Sequence, residues 1–452
     1  MRKRVTEQTV IFISILKWFI LASCIGAIVG LATTIFLKAL NWSTEMTNQY
    51  DHYYLLLPVA FFISSVIVKY LAPDAEGHGT EKVIEAIHKH SGKIKPLVVP
   101  VKLVATVITI AAGGSAGKEG PCAQIGGGLS SLFAELFKFD AKDHKKLVIC
   151  GISAGFASVF GTPIAGAIFG IEVLIVGSIL YDVLLPSFIA GITSYQVSSA
   201  LGVNYFYHPI EFAPVFSEAF FAKILLAGIV FGSCSFLLIE GLHLGKKLSG
   251  KLRLWQPLKG VVGGLFLVGL TLIFTNRYLG LGLNTIQSSL QGEEIIWYAF
   301  IMKIIFTSTT LNFGGSGGIV TPIFFIGTTS GALFAHIMNL DVATFSAIGM
   351  VSLLAGAANT PISASIMAVE LFGPKIAPYA AVACVISFLM TGHRSVYPSQ
   401  LLAVKKSSSI RVEMGKEMED IKTEFRPRSK SLTGLSLKLV QKIKDKFDKK
   451  KA

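Results

Sequence analysis

From about Val10 to Val404 the chain runs through apolar stretches broken by few charges, and no water-exposed domain fits between them. Such a stretch folds in lipid, where no water reaches the backbone, so its N–H and C=O groups must be satisfied within the protein. The charged fraction agrees: it is 15%, where a soluble domain carries about a quarter. The expected fold class is therefore an all-α polytopic membrane protein. Glycine supplies 44 of the 452 residues, above the ~7% average. That excess points to close backbone approach and broken helices rather than a bundle of Leu-rich spans.

The formal net charge of +14 looks like a nucleic-acid signal until it is located. Residues 405–452 hold fifteen Lys or Arg against seven Asp or Glu, a net of +8, and Met1 to Glu7 adds +2, which leaves only +4 between them. Basic flanks on the first and last spans place both termini in the cytoplasm by the positive-inside rule, so the number of full crossings is even. No nucleic-acid partner is expected. The chain divides into a cytoplasmic N-terminus (1–9), a first membrane repeat (10–210), a second (211–404) and a basic cytoplasmic tail (405–452). Leu432, Leu435, Leu439, Ile443 and Phe447 recur at helical spacing among lysines. They read either as an interfacial amphipathic helix on anionic lipid or as part of a disordered charged tail. Cys24, Cys122, Cys150, Cys234 and Cys384 lack paired spacing and read as small buried residues. The run from Val10 to Leu40 carries only Lys17 and Lys38, a long or tilted span rather than a removable signal peptide.

Lys102 to Pro121, KLVATVITIAAGGSAGKEGP, aligns with Lys303 to Pro322, KIIFTSTTLNFGGSGGIVTP, at a constant offset of 201, with eight identities in twenty. A second block follows at offset 198, where Thr162, Pro163, Ile164 and Glu172 meet Thr360, Pro361, Ile362 and Glu370. Two blocks in the same order indicate duplication. Transporters built from two related halves place the substrate site where the halves meet, at helices broken near the bilayer midplane. An even total with an odd number of crossings per half favours inverted over parallel repeats.

In each glycine-rich block an apolar segment of about fourteen residues stops, too short for a ~30 Å bilayer core, and a helix restarts at Pro121 or Pro322. Proline suits a first helical position, and Thr162, Thr321 and Thr360 each precede a proline as expected N-caps. A helix N-terminus offers free N–H groups and partial positive charge, which suits an anion without the tight hold of a buried Lys or Arg. Glu119, within one break, is the exception: an ionisable residue at membrane depth is a functional residue by default. Its carboxylate can occupy the same N–H cradle as an anion, and protonation would release it. Lys118 beside it either raises local anion concentration or snorkels as an anchor. Glu172 and Glu370 share a repeat position, which argues for helix-end or interface roles.

At these residues the sequence resembles the CLC family of chloride channels and chloride/proton antiporters. GKEGP at Gly117 to Pro121 is similar to that family's G(K/R)EGP motif, and GGIVTP at Gly317 to Pro322 resembles its GxFxP motif with Val320 in place of Phe. The resemblance runs from about Trp18 to Leu402. It implies two inverted repeats meeting at a central anion site and a homodimer with one pore per subunit. It further implies that Glu119 is the gate and proton acceptor. The N–H groups of Ile319 and Val320 with the Tyr397 hydroxyl would hold the anion, and Gly79, Lys118 and Gly120 would line it. Two departures stand out. His78 stands where the family's GSGIP motif has an anion-coordinating Ser and Glu81 replaces its Pro, so His78 is either a ligand or a bystander. Val173 stands where antiporters of the family commonly carry an internal proton-accepting glutamate; the resemblance also allows exchangers that lack this residue and still couple, but the reading leans towards passive chloride conduction over antiport.

A cation-coupled solute symporter is a more distant alternative, weakened because Glu119 is the only carboxylate in the two breaks. His88 and His90 with Glu85 lack further ligands at metal spacing, and no nucleophile-elbow, Walker or zincin constellation occurs. Neither an enzyme nor a cofactor is expected. The expected partners are chloride, protons, lipid and a second copy, and the expected location is the plasma membrane, prokaryotic inner membrane above all.

Overall fold

The computed structural model describes residues 2–205 and 217–425. Among them the first half carries eight helices: α1 (Arg2–Asn48), α2 (Leu57–Leu71), α3 (Thr80–Lys89), α4 (Val98–Ala111), α5 (Glu119–Leu136), α6 (Ala141–Phe160), α7 (Pro163–Glu172) and α8 (Tyr181–Ala200). The second half carries eight more: α9 (Glu218–Lys251), α10 (Gln256–Ile273), α11 (Leu283–Leu290), α12 (Ala299–Asn312), α13 (Val320–Met338), α14 (Val342–Ala358), α15 (Pro361–Phe372) and α16 (Ala377–Met390). The two series run in step. α4 and α12 have 14 residues each, α5 and α13 have 18 and 19, and α7 and α15 have 10 and 12. Among the described residues five helical segments are long and apolar enough to cross a membrane, Thr6–Asn48 and Glu218–Lys251 being two of them. At ~1.5 Å per residue the 47 residues of α1 exceed the bilayer core, so this helix is tilted or projects beyond it.

Local chemistry sets the helix boundaries twice over. Asp140 accepts from the N–H groups of Lys142 and Asp143 to start α6, at 3.0 and 2.8 Å. Asp341 accepts from Thr344 N–H at 2.8 Å to start α14. Gly161 and Asn359 end those helices in the left-handed conformation, at φ 71° and 57°. The glycine excess lets helices touch. A Cβ on Gly126 of α5 would overlap the Gly151 carbonyl of α6, and one on Gly327 of α13 would overlap the Gly349 carbonyl of α14. Gly151→Ala is therefore expected to cost about 1–3 kcal/mol through overpacking, read as a lower unfolding midpoint in detergent, whereas Gly269→Ala, where a Cβ inside α10 meets nothing, does not lower it, because alanine is the better helix former.

Hydrogen bonds across the middle of the molecule are reciprocal. Ser115 N–H donates to Thr310 Oγ1 at 3.0 Å and Ser316 N–H donates to Thr109 Oγ1 at 2.9 Å. The Ser115 and Thr307 hydroxyls lie 3.0 Å apart, and those of Thr106 and Ser316 3.2 Å apart. Each pair maps onto the other by the offset of 201, so the halves are related by a two-fold operation, as self-complementary contacts require.

Three local expectations are corrected. α5 and α13 begin at Glu119 and Val320, two residues before their prolines, because the N–H lost at proline is only one of four that a helix start leaves free. Thr162 and Thr360 do occupy N-cap positions, but their hydroxyls make no capping bond. Glu370 accepts from Ile164 and Ala165 N–H at 3.0 and 2.8 Å, and Glu172 accepts from Ile362 and Ser363 N–H at 3.0 and 2.8 Å. Each helix start is thus closed by the carboxylate at the end of its counterpart, the helix-end role expected of the two glutamates. Cys24 is exposed, while the other four cysteines are buried.

The amphipathic stretch from Leu432 to Phe447 lies outside the described residues. Residues 405–425 are ordered into the body rather than loose: Ile410–Arg411 pairs antiparallel with Glu424–Phe425, and Leu401–Leu402 pairs parallel with Ile175–Val176. Val176, Leu402 and Met418 form a small buried cluster there. Lys406 donates to Asn359 Oδ1 and the Phe388 carbonyl, both at 2.6 Å, which ties the tail to the end of α14.

Candidate functional site

The two glycine-rich breaks meet face to face. Gly117 N–H donates to the Gly318 carbonyl at 2.7 Å and Gly318 N–H to the Gly117 carbonyl at 2.6 Å, an antiparallel bridge that sets the first turns of α5 and α13 side by side. Both helices present N–H groups outside the i to i−4 ladder there, so the junction is electropositive without a fixed charge.

Glu119, 1% exposed, crosses that junction. Its Oε2 accepts from Thr321 N–H at 3.0 Å and its Oε1 from the Thr321 hydroxyl at 2.6 Å. The carboxylate of one break therefore fills the N–H cradle of the other. Thr321, expected only as a cap ahead of Pro322, is the residue that holds it. This pairing joins positions 202 residues apart, and the Thr-Pro signature gave no signal of it.

The remaining candidates arrive from three directions. A Cβ on Gly79 would overlap the Gly120 carbonyl, and one on Gly120 would overlap the His78 carbonyl and approach Gly318 Cα. So the turn before α3 rests on the backbone next to Glu119, and Gly79 takes φ 80°, open to glycine at little cost. Tyr397 is fully buried and feels the charge of both Glu119 and Glu81, with the Thr80 hydroxyl beside it. Among the described residues, His78 Nδ1 is buried without a hydrogen-bond partner, and the buried Tyr397 and Thr80 hydroxyls have none beyond each other. Buried donors of this kind are costly unless something accepts from them, and an anion is an acceptor for each. Ile319 and Val320, both fully buried, open α13 directly before Thr321. Lys118, half-buried, is within electrostatic reach of Glu119 and makes no ion pair among the described residues.

Two supports escaped sequence reasoning. Gln400 donates from Nε2 to the carbonyls of Val173 and Ala358 at 2.8 Å each, and its Oε1 accepts from Asn359 and Ser395. Ser395 Oγ in turn accepts from Tyr397 N–H at 2.9 Å, so Gln400 fixes the loop that aims Tyr397. Lys102 and Lys303, buried repeat partners, each donate to two carbonyls: Ala75 and Gly77 for the first, Tyr278 and Gly280 for the second.

A cavity of about 480 Å³ reaches the site from the side bearing the tail, lined by His78, Glu81, Glu85, His243, Lys246 and residues flanking Tyr397. At its rim the hydrogen bond from Lys82 holds the Glu85 carboxyl below its usual range, and Glu417 raises the Lys89 ammonium. His88 donates from Nε2 to the Leu174 carbonyl, 3.1 Å away, and no group of metal-ligating side chains forms among the described residues.

Residues 60–392 match the family model described as voltage gated chloride channel. The chain is 37% identical over 409 residues to a chloride/fluoride channel protein of Pseudomonas syringae pv. tomato, covering 88% of this chain and 90% of that one. It is 25% identical to an H(+)/Cl(-) exchange transporter of Klebsiella pneumoniae over 78% of this chain and 80% of that one. Among solved structures, it superposes on a CLC-type fluoride/proton antiporter with TM-score 0.82 at 27% identity, covering 86% of this chain and 98% of the other.

Proposed function

The chain belongs to the CLC family of anion-transporting membrane proteins, and from that membership we propose that it exchanges a small halide, chloride or fluoride, for protons at the junction of its two broken helices. One observation carries the reading: the Glu119 carboxylate sits in the N–H and hydroxyl cradle of Thr321, where an incoming halide would be coordinated. Halide and carboxylate compete for the same donors, so an anion enters when Glu119 leaves, and protonation is what lets it leave. Alternating occupancy by halide and by a proton-carrying carboxylate is the elementary cycle of an exchanger.

The anion donors are the Thr321 N–H and hydroxyl that Glu119 occupies and, beside them, the first N–H groups of α13, from Ile319 and Val320, with the hydroxyl of Tyr397 and the ring N–H of His78. These are compact, hard donors, suited to fluoride as well as chloride. The named relatives support both ions, since one is called a chloride/fluoride channel and another a fluoride/proton antiporter. Passive conduction is the second reading, favoured by fully buried Val173, which cannot take a proton. A second copy of the chain and lipid are the proposed partners, in a plasma membrane with both termini cytoplasmic.

The test is reconstitution in liposomes under an outward halide gradient, with halide efflux and external pH recorded together. Halide-driven proton movement against its gradient is expected; halide efflux with no proton movement would establish conduction, and sodium-dependent solute uptake without halide flux would remove the anion site altogether. Running chloride and fluoride separately ranks the two ions. His78→Ser is expected to change the halide concentration at half-maximal rate several-fold only below about pH 5, since burial, with the Lys102 charge, pushes the ring's pKa down to about 4 and only the protonated ring adds charge. An unchanged profile would make the ring a bystander.

A further inference from the structure

Exchangers of this family commonly carry a proton-accepting glutamate facing the inner cavity, and at that position this chain has Val173. We infer that Glu81, in the first turn of α3, takes the proton from the cavity and passes it to Glu119. This rests on the exchange reading above.

The carboxylate is placed for both ends of that task. Glu81 lies on the wall of the 480 Å³ cavity, so water has access to it from the tail side. Its Oε1 accepts from both the N–H and the hydroxyl of Ser399, which fixes the group, while its Oε2 is buried with no partner among the described residues. A purely structural anchor needs only the first oxygen. Towards the site, the turn that starts α3 touches the turn that starts α5, Gly79 against Gly120, so the two glutamates stand on helix starts in backbone contact. Two buried hydroxyls, those of Thr80 and Tyr397, lie side by side in the same region with no other partner among the described residues, and Tyr397 feels both carboxylates. A hydroxyl can accept a proton on one side and release its own on the other, so either could relay. The step balances: the proton leaves the Glu81 carboxylic acid and ends on the Glu119 carboxylate, and the net charge of the pair is unchanged.

The surroundings set when Glu81 reloads. On its own helix it faces Lys82 and Glu85. Across the cavity stand His243 and Lys246 of α9 and Lys259 of α10, with Glu417 and Glu419 from the tail. Lysines and glutamates alternate there, so the cavity is a mixed-charge surface rather than a one-sign funnel.

Full-length protein with Glu81→Gln, reconstituted as above, tests the inference, because glutamine keeps an acceptor for Ser399 and loses the acid. Halide-driven proton uptake is expected to fall at least tenfold while halide efflux stays within about threefold. Glu81→Asp, which keeps the acid one methylene shorter, is expected to retain proton uptake at a reduced rate, and it serves alone should the glutamine variant not fold. Proton uptake at the wild-type ratio in Glu81→Gln overturns the inference and leaves exchange standing. Equal loss of both fluxes in Glu81→Gln, or of both in Glu81→Asp, makes Glu81 a structural anchor and overturns it too. Wild type that moves halide without protons overturns exchange itself, and this role with it.

Discussion

Glu119→Gln is expected to abolish halide-driven proton movement and to leave halide flux running at a rate that no longer varies with pH. The wild-type carboxylate accepts two hydrogen bonds from Thr321. Bonds to a charged group contribute about 1.5–3 kcal/mol each, so a charged Glu119 outcompetes a weakly held halide. Protonation removes the charge from the acceptor and turns one oxygen into a donor, for which the Thr321 N–H offers nothing. Loss of ~3 kcal/mol of hold corresponds to about a hundredfold shift in occupancy. The sign follows: in wild type, halide flux rises as pH falls through the range where Glu119 takes its proton. Glutamine mimics the protonated state at every pH, so its profile is flat at the acid-side level. Efflux traces from pH 5 to 8 decide it. A mutant that keeps the full wild-type pH dependence, or still drives protons uphill, removes Glu119 from the gate. Thr321→Val adds an independent check, since it deletes one of the two bonds and should raise halide flux at neutral pH by about tenfold while proton coupling persists.

The two-fold architecture was legible because duplication leaves a constant offset in the chain: Lys102 and Lys303, Ser115 and Ser316, Glu172 and Glu370 are visible as pairs before any coordinates. Their partners were not. The offset says that Ser115 and Ser316 are equivalent, but not that each bonds to a threonine of the opposite half. Glu172 was readable as a helix-end residue, yet the helix it closes begins at Pro361. The signal for Thr321 was misread for a related reason. Thr-Pro occurs at three helix starts, and its local logic predicts a capping hydroxyl at each. Carboxylates from the other half close two of those starts and Glu119 reaches into the third, so a tertiary pairing displaced the local one every time. Glu81 likewise appeared as a departure from a motif, and only its position on the cavity wall beside the Gly79–Gly120 contact gave it a use.

Lys102→Met and Lys303→Met are expected to destabilise the protein alike and to affect transport very differently. Each lysine is fully buried and donates to two carbonyls at the end of a short turn. Methionine fills a similar volume and removes the cost of a buried charge, but it orphans both carbonyls at about 1–3 kcal/mol each. A net loss of ~2 kcal/mol in either variant is the balance of these effects, read as a lower unfolding midpoint in detergent. Function separates them because the turns differ in what they touch. Gly77, whose carbonyl Lys102 holds at 2.6 Å, opens the turn through His78 to Gly79, with φ of 84° and 80° at the two glycines. That turn rests on Gly120, beside the gate. Its repeat partner, from Gly280 to Gly282, rests on the Phe325 ring of α13 instead, and Lys303 lies 5.0 Å from the centre of the same ring. Releasing the first turn moves His78 and the first turn of α3 relative to Glu119; releasing the second moves apolar packing. Halide flux per folded protein is therefore expected to fall at least tenfold in Lys102→Met and less than about threefold in Lys303→Met. Equal transport losses would show that the two lysines act only through stability, and an unchanged rate in Lys102→Met would uncouple the turn from the site.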